Sequence, residues 1–144
     1  MTNEEKQLLL KDLSARLSYG VMLNLGAVRG TLRDIQVIHK YNNTDSVQEI
    51  DAYIQFFGDE YIDIIHFKPY LRTLSSMTDE ELKEFYIIED LGKHPVVWNK
   101  PQYNWHFTVN GIDWLNAHHF DYRGLIMRGL AIEASEGMYN IKTE

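Results

Sequence analysis

Apolar residues in the first stretch of the chain recur at helical spacing. Leu8, Leu9, Leu10, Leu13 and Leu17 form one stripe, and Thr2 followed by Glu5 makes a capping box. The spacing predicts an amphipathic helix over 3–17, with Glu4, Lys6, Gln7, Lys11 and Asp12 on a solvated face and Tyr19-Gly20 as its end. The period then falls to two. Val21, Leu23 and Leu25 alternate with Met22 and Asn24, Gly26 to Gly30 reads as a turn, and Leu32 to His39 reads as a strand with a bulge near Asp34. Tyr41 to Ser46 is a loop by its turn chemistry, and a third strand covers Glu49 to Phe57. Gly58-Asp59-Glu60 is a tight hairpin connection, Tyr61 to Phe67 follows as a strand, Pro69 interrupts, and Tyr70 to Leu74 is a last short strand or an edge.

Helical signals return at Thr78-Asp79-Glu80-Glu81, a second capping box, with Leu82, Phe85 and Tyr86 as the buried side of a helix over 79–88. Gly92 to Gln102 is irregular. Tyr103 to Val109 alternates as a strand does, Asn110-Gly111 is a turn, and Ile112 to Phe120 is a short helix. Asp121 caps a further short helix ended by Gly129, and Leu130 to Ala134 is a closing strand, with a tail from Ser135. The expected fold is α+β: a small, strongly bent antiparallel sheet over about 20–74, either an SH3-like barrel or an open meander, with an N-terminal helix and a helical C-terminal region. Residues 1–144 read as a single domain, with an aromatic α/β region over 98–134, and 88–102 is the one stretch where a hinge fits.

Composition narrows the functional classes. The formal charge of −7 and pI near 5.3 argue against duplex nucleic acid, which needs a basic surface, and against an anionic membrane face. The absence of cysteine excludes disulfides, thiolate catalysis and Cys-based zinc sites. The N-terminus has no signal-peptide pattern and no apolar run is long enough to span a bilayer, so a cytoplasmic protein is expected.

Motifs for chemistry are sparse. His118-His119 with Asp121 is the obvious metal candidate, but adjacent helical residues point about 100° apart and do not share one ion easily. Ser75-Ser76 precede a capping box and read as helix entry, and no GxSxG elbow, HExxH pair or phosphate-binding glycine loop occurs. The carboxylate pairs Asp59-Glu60, Asp79-Glu80-Glu81 and Glu89-Asp90 fall at turns and helix termini, where solvated charge is the ordinary explanation. No catalytic residue, metal or cofactor is therefore assigned. The C-terminal aromatics are the feature that stands out. Trp98, Tyr103, Trp105 and Trp114 are candidates for stacking on a flat ligand, with Arg72 and Arg123 for an anion and His118 beside them; the competing reading is that the rings roof a small core.

Three segments carry a resemblance: Lys68-Pro69-Tyr70-Leu71-Arg72-Thr73-Leu74-Ser75-Ser76-Met77-Thr78, then Asp113 to Ile126 (DWLNAHHFDYRGLI), then Gly129-Leu130-Ala131 with Glu136-Gly137-Met138-Tyr139. Together with Leu8 to Leu17, they resemble a family of small uncharacterised proteins of gut Bacteroides and of the phages and mobile elements that infect them. The resemblance implies no chemistry, but its context implies an anti-defence role in a host cytoplasm. The leading expectation is a non-catalytic binding protein that sequesters a small nucleotide-type signal. The alternatives are a protein–protein inhibitor of a host protein, whose aromatics and negative charge block a partner's surface, and a small hydrolase using the C-terminal histidines. Expected partners are thus a nucleotide-like ligand or a host protein, with homo-oligomerisation left open.

Overall fold

The structure, a computed structural model, describes residues 1–41, 48–89, 99–103 and 105–139. The fold is α+β. By internal contacts the chain divides into two compact units, Met1–Tyr70 and Leu71–Glu144. This boundary lies at Tyr70–Leu71; most of the 88–102 stretch, where a hinge is expected, lies outside the described residues.

The first unit begins with α1, Asn3–Arg16. Its start is fixed locally: Glu5 N–H donates to Thr2 Oγ1 (3.1 Å) and Thr2 N–H donates to Glu5 Oε1 (3.0 Å). A 3-10 turn, Leu17–Tyr19, and Gly20 at φ 70° end it. Leu9 and Leu13 enter the core as the stripe requires. Asp12 does not lie on a solvated face. It is fully buried and holds fully buried Arg16 through Nε (2.9 Å) and Nη2 (3.1 Å). The i,i+4 spacing places the two charges together, so each is buried with its counter-charge.

Two open sheets follow. In one, β1 (Met22–Leu25) forms an antiparallel hairpin with β2 (Val28–Thr31) and also pairs with β6 (Lys68–Leu71) through Leu23↔Pro69 and Asn24↔Lys68. Val28 to Gly30, expected as turn, are strand. The turn is only Gly26-Ala27, with Gly26 at φ 59°; Gly30 is in the strand, paired with Leu23, and a Cβ there would stand 2.7 Å from the Phe56 ring. In the other sheet the order is β3-β4-β5: β3 (Asp34–Tyr41) pairs with β4 (Gln48–Gln55), and β4 with β5 (Ile62–Asp63), all antiparallel. Arg33 N–H donates to the Gln55 carbonyl although Asp34 is that residue's register partner, a one-residue slip where a bulge was expected. Most of the loop expected over Tyr41 to Ser46 lies outside the described residues. The strand expected over Tyr61 to Phe67 stops at Asp63, whose carboxylate accepts Ile65 N–H (3.1 Å) and starts a 3-10 turn, Ile64–His66. Leu9, Leu13, Leu23, Ile54, Ile64 and Phe67 fill this core, with Phe56 edge-on to Phe67 at 5.2 Å. The ladders do not close on themselves, so an open version of the expected sheet describes them and not a barrel.

The second unit is mainly helical. A 3-10 turn, Leu74–Ser76, leads into α2, Asp79–Glu89, whose start carries the second capping box, Thr78 with Glu81. The other helix, α3, is Val109–Ala117. Tyr103 and Trp105 to Thr108 are irregular and not strand, and Asn110-Gly111 is not a turn. Thr108 is the N-cap of α3, its Oγ1 accepting Gly111 N–H (3.0 Å), so both residues fall in the first helical turn. α3 ends at Ala117, with His119 in the left-handed region at φ 63°. The short helix expected after Asp121 does not form: the segment to Gly129 is a run of turns, and the Asp121 carboxylate accepts Leu125 N–H (2.9 Å) and Ile126 N–H (3.0 Å) within it. Of the expected closing strand only β7, Ile132–Glu133, forms, next to a bond from Ala134 N–H to the Leu71 carbonyl (2.7 Å). The core here is Leu74, Met77, Leu82, Phe85, Tyr86, Trp114, Leu115, Phe120 and Tyr122. Among the described residues no helix is long and apolar enough to cross a membrane.

Candidate functional site: an acidic cleft

The second unit builds its cleft outward from Arg72. Backbone bonds from Arg72 N–H to the His119 carbonyl and from Asp121 N–H to the Arg72 carbonyl (both 2.8 Å) fix the residue beside Phe120. Its guanidinium then lies over the Phe120 ring, 4.1 Å from the centroid, and grips Glu81 with both fork nitrogens (2.8 and 2.6 Å). Glu81 also accepts Thr78 N–H. Partial burial pushes the Glu81 carboxyl up, but the bonds from Arg72 and Thr78 outweigh it and hold the group below the usual carboxylate range.

Trp114 stacks with Phe120 (5.8 Å, 14°) and with His118 (4.0 Å, 25°), and its Nε1–H donates to Glu84 (3.1 Å). His118 Nδ1 lies 2.9 Å from the Trp114 carbonyl oxygen. A carbonyl only accepts, so Nδ1 carries the proton in this contact. His119, in its left-handed conformation, stacks on Tyr139 at 3.8 Å.

Between these groups opens a cavity of about 590 Å³. Glu80, Glu81, Glu84, Glu133 and Glu136 line it, with Arg72, His118 and Tyr139. Arg72 is the one Lys or Arg in that lining and is already bound to Glu81, so the other four carboxylates set the sign of the field. A second, more open concavity of about 510 Å³ is lined by Thr73, Leu74, Ser75, Pro101, Gln102 and Tyr103; beside it Lys100 donates to the Ser75 carbonyl (2.6 Å).

The residues singled out from sequence are scattered over these features. Arg72 and His118 share the acidic cleft. Tyr103, 39% exposed, lies on the second concavity, its hydroxyl pKa raised by burial and by the charges of Asp121 and Glu133. Trp114 is a core residue, 7% exposed. Trp105 is half-buried and lines neither cavity. Arg123 lies over the Tyr122 ring at 4.6 Å and also lines neither. Trp98 lies outside the described residues. The expected strand face bearing Tyr103, Trp105 and Phe107 together is absent, because those residues do not form a strand; Phe107 instead packs against Phe85 and Tyr122. Sequence reasoning missed the glutamates and Tyr139 as a group. Glu80 and Glu84, at i,i+4 on α2, were the available signal.

His118, His119 and Asp121 do not converge, since Asp121 serves two backbone amides and His119 turns to Tyr139. Among the described residues no group of three or more His, Asp or Glu is arranged to hold a metal ion. Comparison of the chain with protein-family models, curated proteins and solved structures finds no match.

Proposed function

We propose that this is a non-catalytic binding protein that engages a partner protein through the acidic cleft, taking a lysine or arginine side chain of the partner. One observation carries this reading: a cleft large enough for such a side chain has five glutamates in its lining against one arginine that is already paired. An ammonium or guanidinium is recognised there by charge, and the Tyr139 ring adds a face on which a guanidinium can lie. This is the protein–protein inhibitor of the sequence reading with its contact chemistry specified. A phage or mobile-element origin and an anti-defence role, which the motif resemblance implies, belong to the same proposal.

Sequestration of a nucleotide-type signal is the second reading, and Tyr103 on its own concavity is what favours it. Its weakness is electrostatic. The guanidinium of Arg72 faces Glu81, and carboxylates around it repel a phosphate.

Calorimetric titration with a hexa-arginine peptide at low ionic strength, beside a panel of cyclic and ADP-ribose-type nucleotides, tests both. The peptide is expected to bind, to weaken with added salt, and to lose about 3- to 10-fold in affinity in the Glu80→Gln/Glu136→Gln variant, at exposed-pair energies. Absence of peptide binding, or binding indifferent to that variant, overturns the cleft reading. Nucleotide binding abolished by Tyr103→Ala would replace it with the second.

A further inference from the structure

The first unit carries a feature that the cleft does not use: the open edge of β3. In the order β3-β4-β5 one side of β3 is paired along its length with β4, and the other has no strand beside it among the described residues. Exposed edges are ordinarily shortened, kinked or interrupted by proline, because their free N–H and C=O groups template pairing with another chain. β3 has a slip at its start and charges at Asp34 and Lys40, but the stretch between them carries no such guard. The strand is eight residues long, without proline or glycine, and Val37 and Ile38 at its middle are 38% and 41% exposed.

We propose that β3 pairs antiparallel with β3 of a second copy of this chain, with Val37 on the two-fold axis. The occupant follows from register. A two-fold axis normal to the sheet keeps like faces together, so it must pass through a residue and not between two. Centred on Gln36 or Ile38, it sets no opposite charges face to face. Centred on Val37, it sets Asp34 against Lys40 of the second copy, twice, with Ile35 against His39 and Val37 against itself. The strand is thus self-complementary in charge in one symmetric register. Lys40 is placed for it: its side chain is 60% exposed while its Nζ holds Asp51 at 2.7 Å, and Asp51 also holds Lys6 at 2.8 Å. Pairing extends this row of alternating charges across the new edge and removes the central Val37 and Ile38 from water.

Sedimentation equilibrium of the full chain tests it. The wild type is expected to self-associate reversibly. Asp34→Lys and Lys40→Glu each replace two attractive cross-strand pairs by repulsive ones and are expected to weaken association about tenfold. Mixed in equal amounts, the two variants restore both pairs and should dimerise with each other near the wild-type strength, which loss of local structure would not reproduce. The absence of native cysteine allows a direct register check that does not depend on the charge variants folding. Val37→Cys lies about 5 Å from its own copy across the axis and should oxidise readily to a linked dimer. Ile35→Cys, four residues out of register at roughly 13 Å, should not. A wild type that stays monomeric to millimolar concentration, singles that fail to rescue each other, or equal cross-linking at 35 and 37 overturns the proposal.

Discussion

Gly111→Ala is expected to destabilise the second unit, although alanine is the better helix former. Gly111 lies in the first turn of α3, where the propensity change alone would stabilise by up to about 1 kcal/mol. A Cβ at this position, however, would stand 1.4 Å from Glu89 Oε1 and 2.5 Å from its Cδ. The carboxylate must therefore retreat by about 2 Å to reach ordinary van der Waals contact. Glu89 is 5% exposed and accepts the Thr108 backbone N–H at both oxygens and the Thr108 hydroxyl at one, each at 3.1 Å. The Thr108 hydroxyl in turn accepts Gly111 N–H, so the retreat uncaps the helix as well. Losing one to two bonds to a buried charge costs about 3 to 4 kcal/mol, which after the propensity gain leaves about 2 to 3. Urea denaturation followed by tryptophan fluorescence measures this, since Trp114 sits in the same core. The decisive quantity is the double-mutant cycle. In a Glu89→Ala background the obstruction is gone, and Gly111→Ala should become neutral or stabilising, a coupling of about 3 kcal/mol. A Gly111→Ala variant as stable as wild type, or a cycle additive to within about 0.5 kcal/mol, would refute the reasoning.

Two other expectations follow from buried or paired charges. Arg16→Met should cost about 3–5 kcal/mol in urea denaturation by leaving fully buried Asp12 without its counter-ion, and Asp12→Leu/Arg16→Met together should recover most of that loss. Asp51, bonded to Lys40 and Lys6, titrates at about 2 in the folded chain against 3.8 unperturbed, so as pH falls the unfolded chain takes up this proton first. The contribution of Asp51 is therefore full above about pH 5 and lost between pH 4 and 2, and the gap in urea midpoint between wild type and Asp51→Asn should shrink over that window.

Features encoded within a few residues were legible in the sequence. Both capping boxes, Thr2 with Glu5 and Thr78 with Glu81, form as read, because donor and acceptor lie three residues apart and need nothing else. Asp121 also finds its partners nearby, the N–H groups of Leu125 and Ile126 four and five residues on, although the helix expected after it does not form. What failed depends on partners distant in sequence. Asn110-Gly111 has the composition of a hairpin turn, yet that glycine is accounted for by Glu89, twenty-two residues earlier on another helix. Gly30 likewise answers to Phe56, not to a turn. The alternation of Tyr103, Trp105 and Phe107 has the period of a strand, but α2 and α3 supply the packing that Phe107 needs, and among the described residues no strand pairs with this segment. Asp12 is different: its partner Arg16 is only four residues on, and what the sequence does not show is that both are buried.

The site was illegible for a related reason. Charge is spread almost evenly by sequence, with ten acidic and seven basic residues in 1–70 and eleven and seven in 71–144. The imbalance alone points to neither unit. What a count does not show is how individual carboxylates are met. In the first unit Asp12 and Asp51 are held by Arg16 and by Lys6 and Lys40. In the second, Glu80 and Glu84 from α2 and Glu133 and Glu136 from about fifty residues later converge on a cleft whose one arginine is bound to Glu81. A carboxylate whose counter-ion is a neighbour is structural, whereas a group of them facing a cavity without one keeps its attraction for an incoming cation. A composition count sums both kinds together, and so the acidic character that by count argues only against nucleic acid is, once folded, partly gathered on one cleft, the feature on which the proposed contact with a cationic side chain rests.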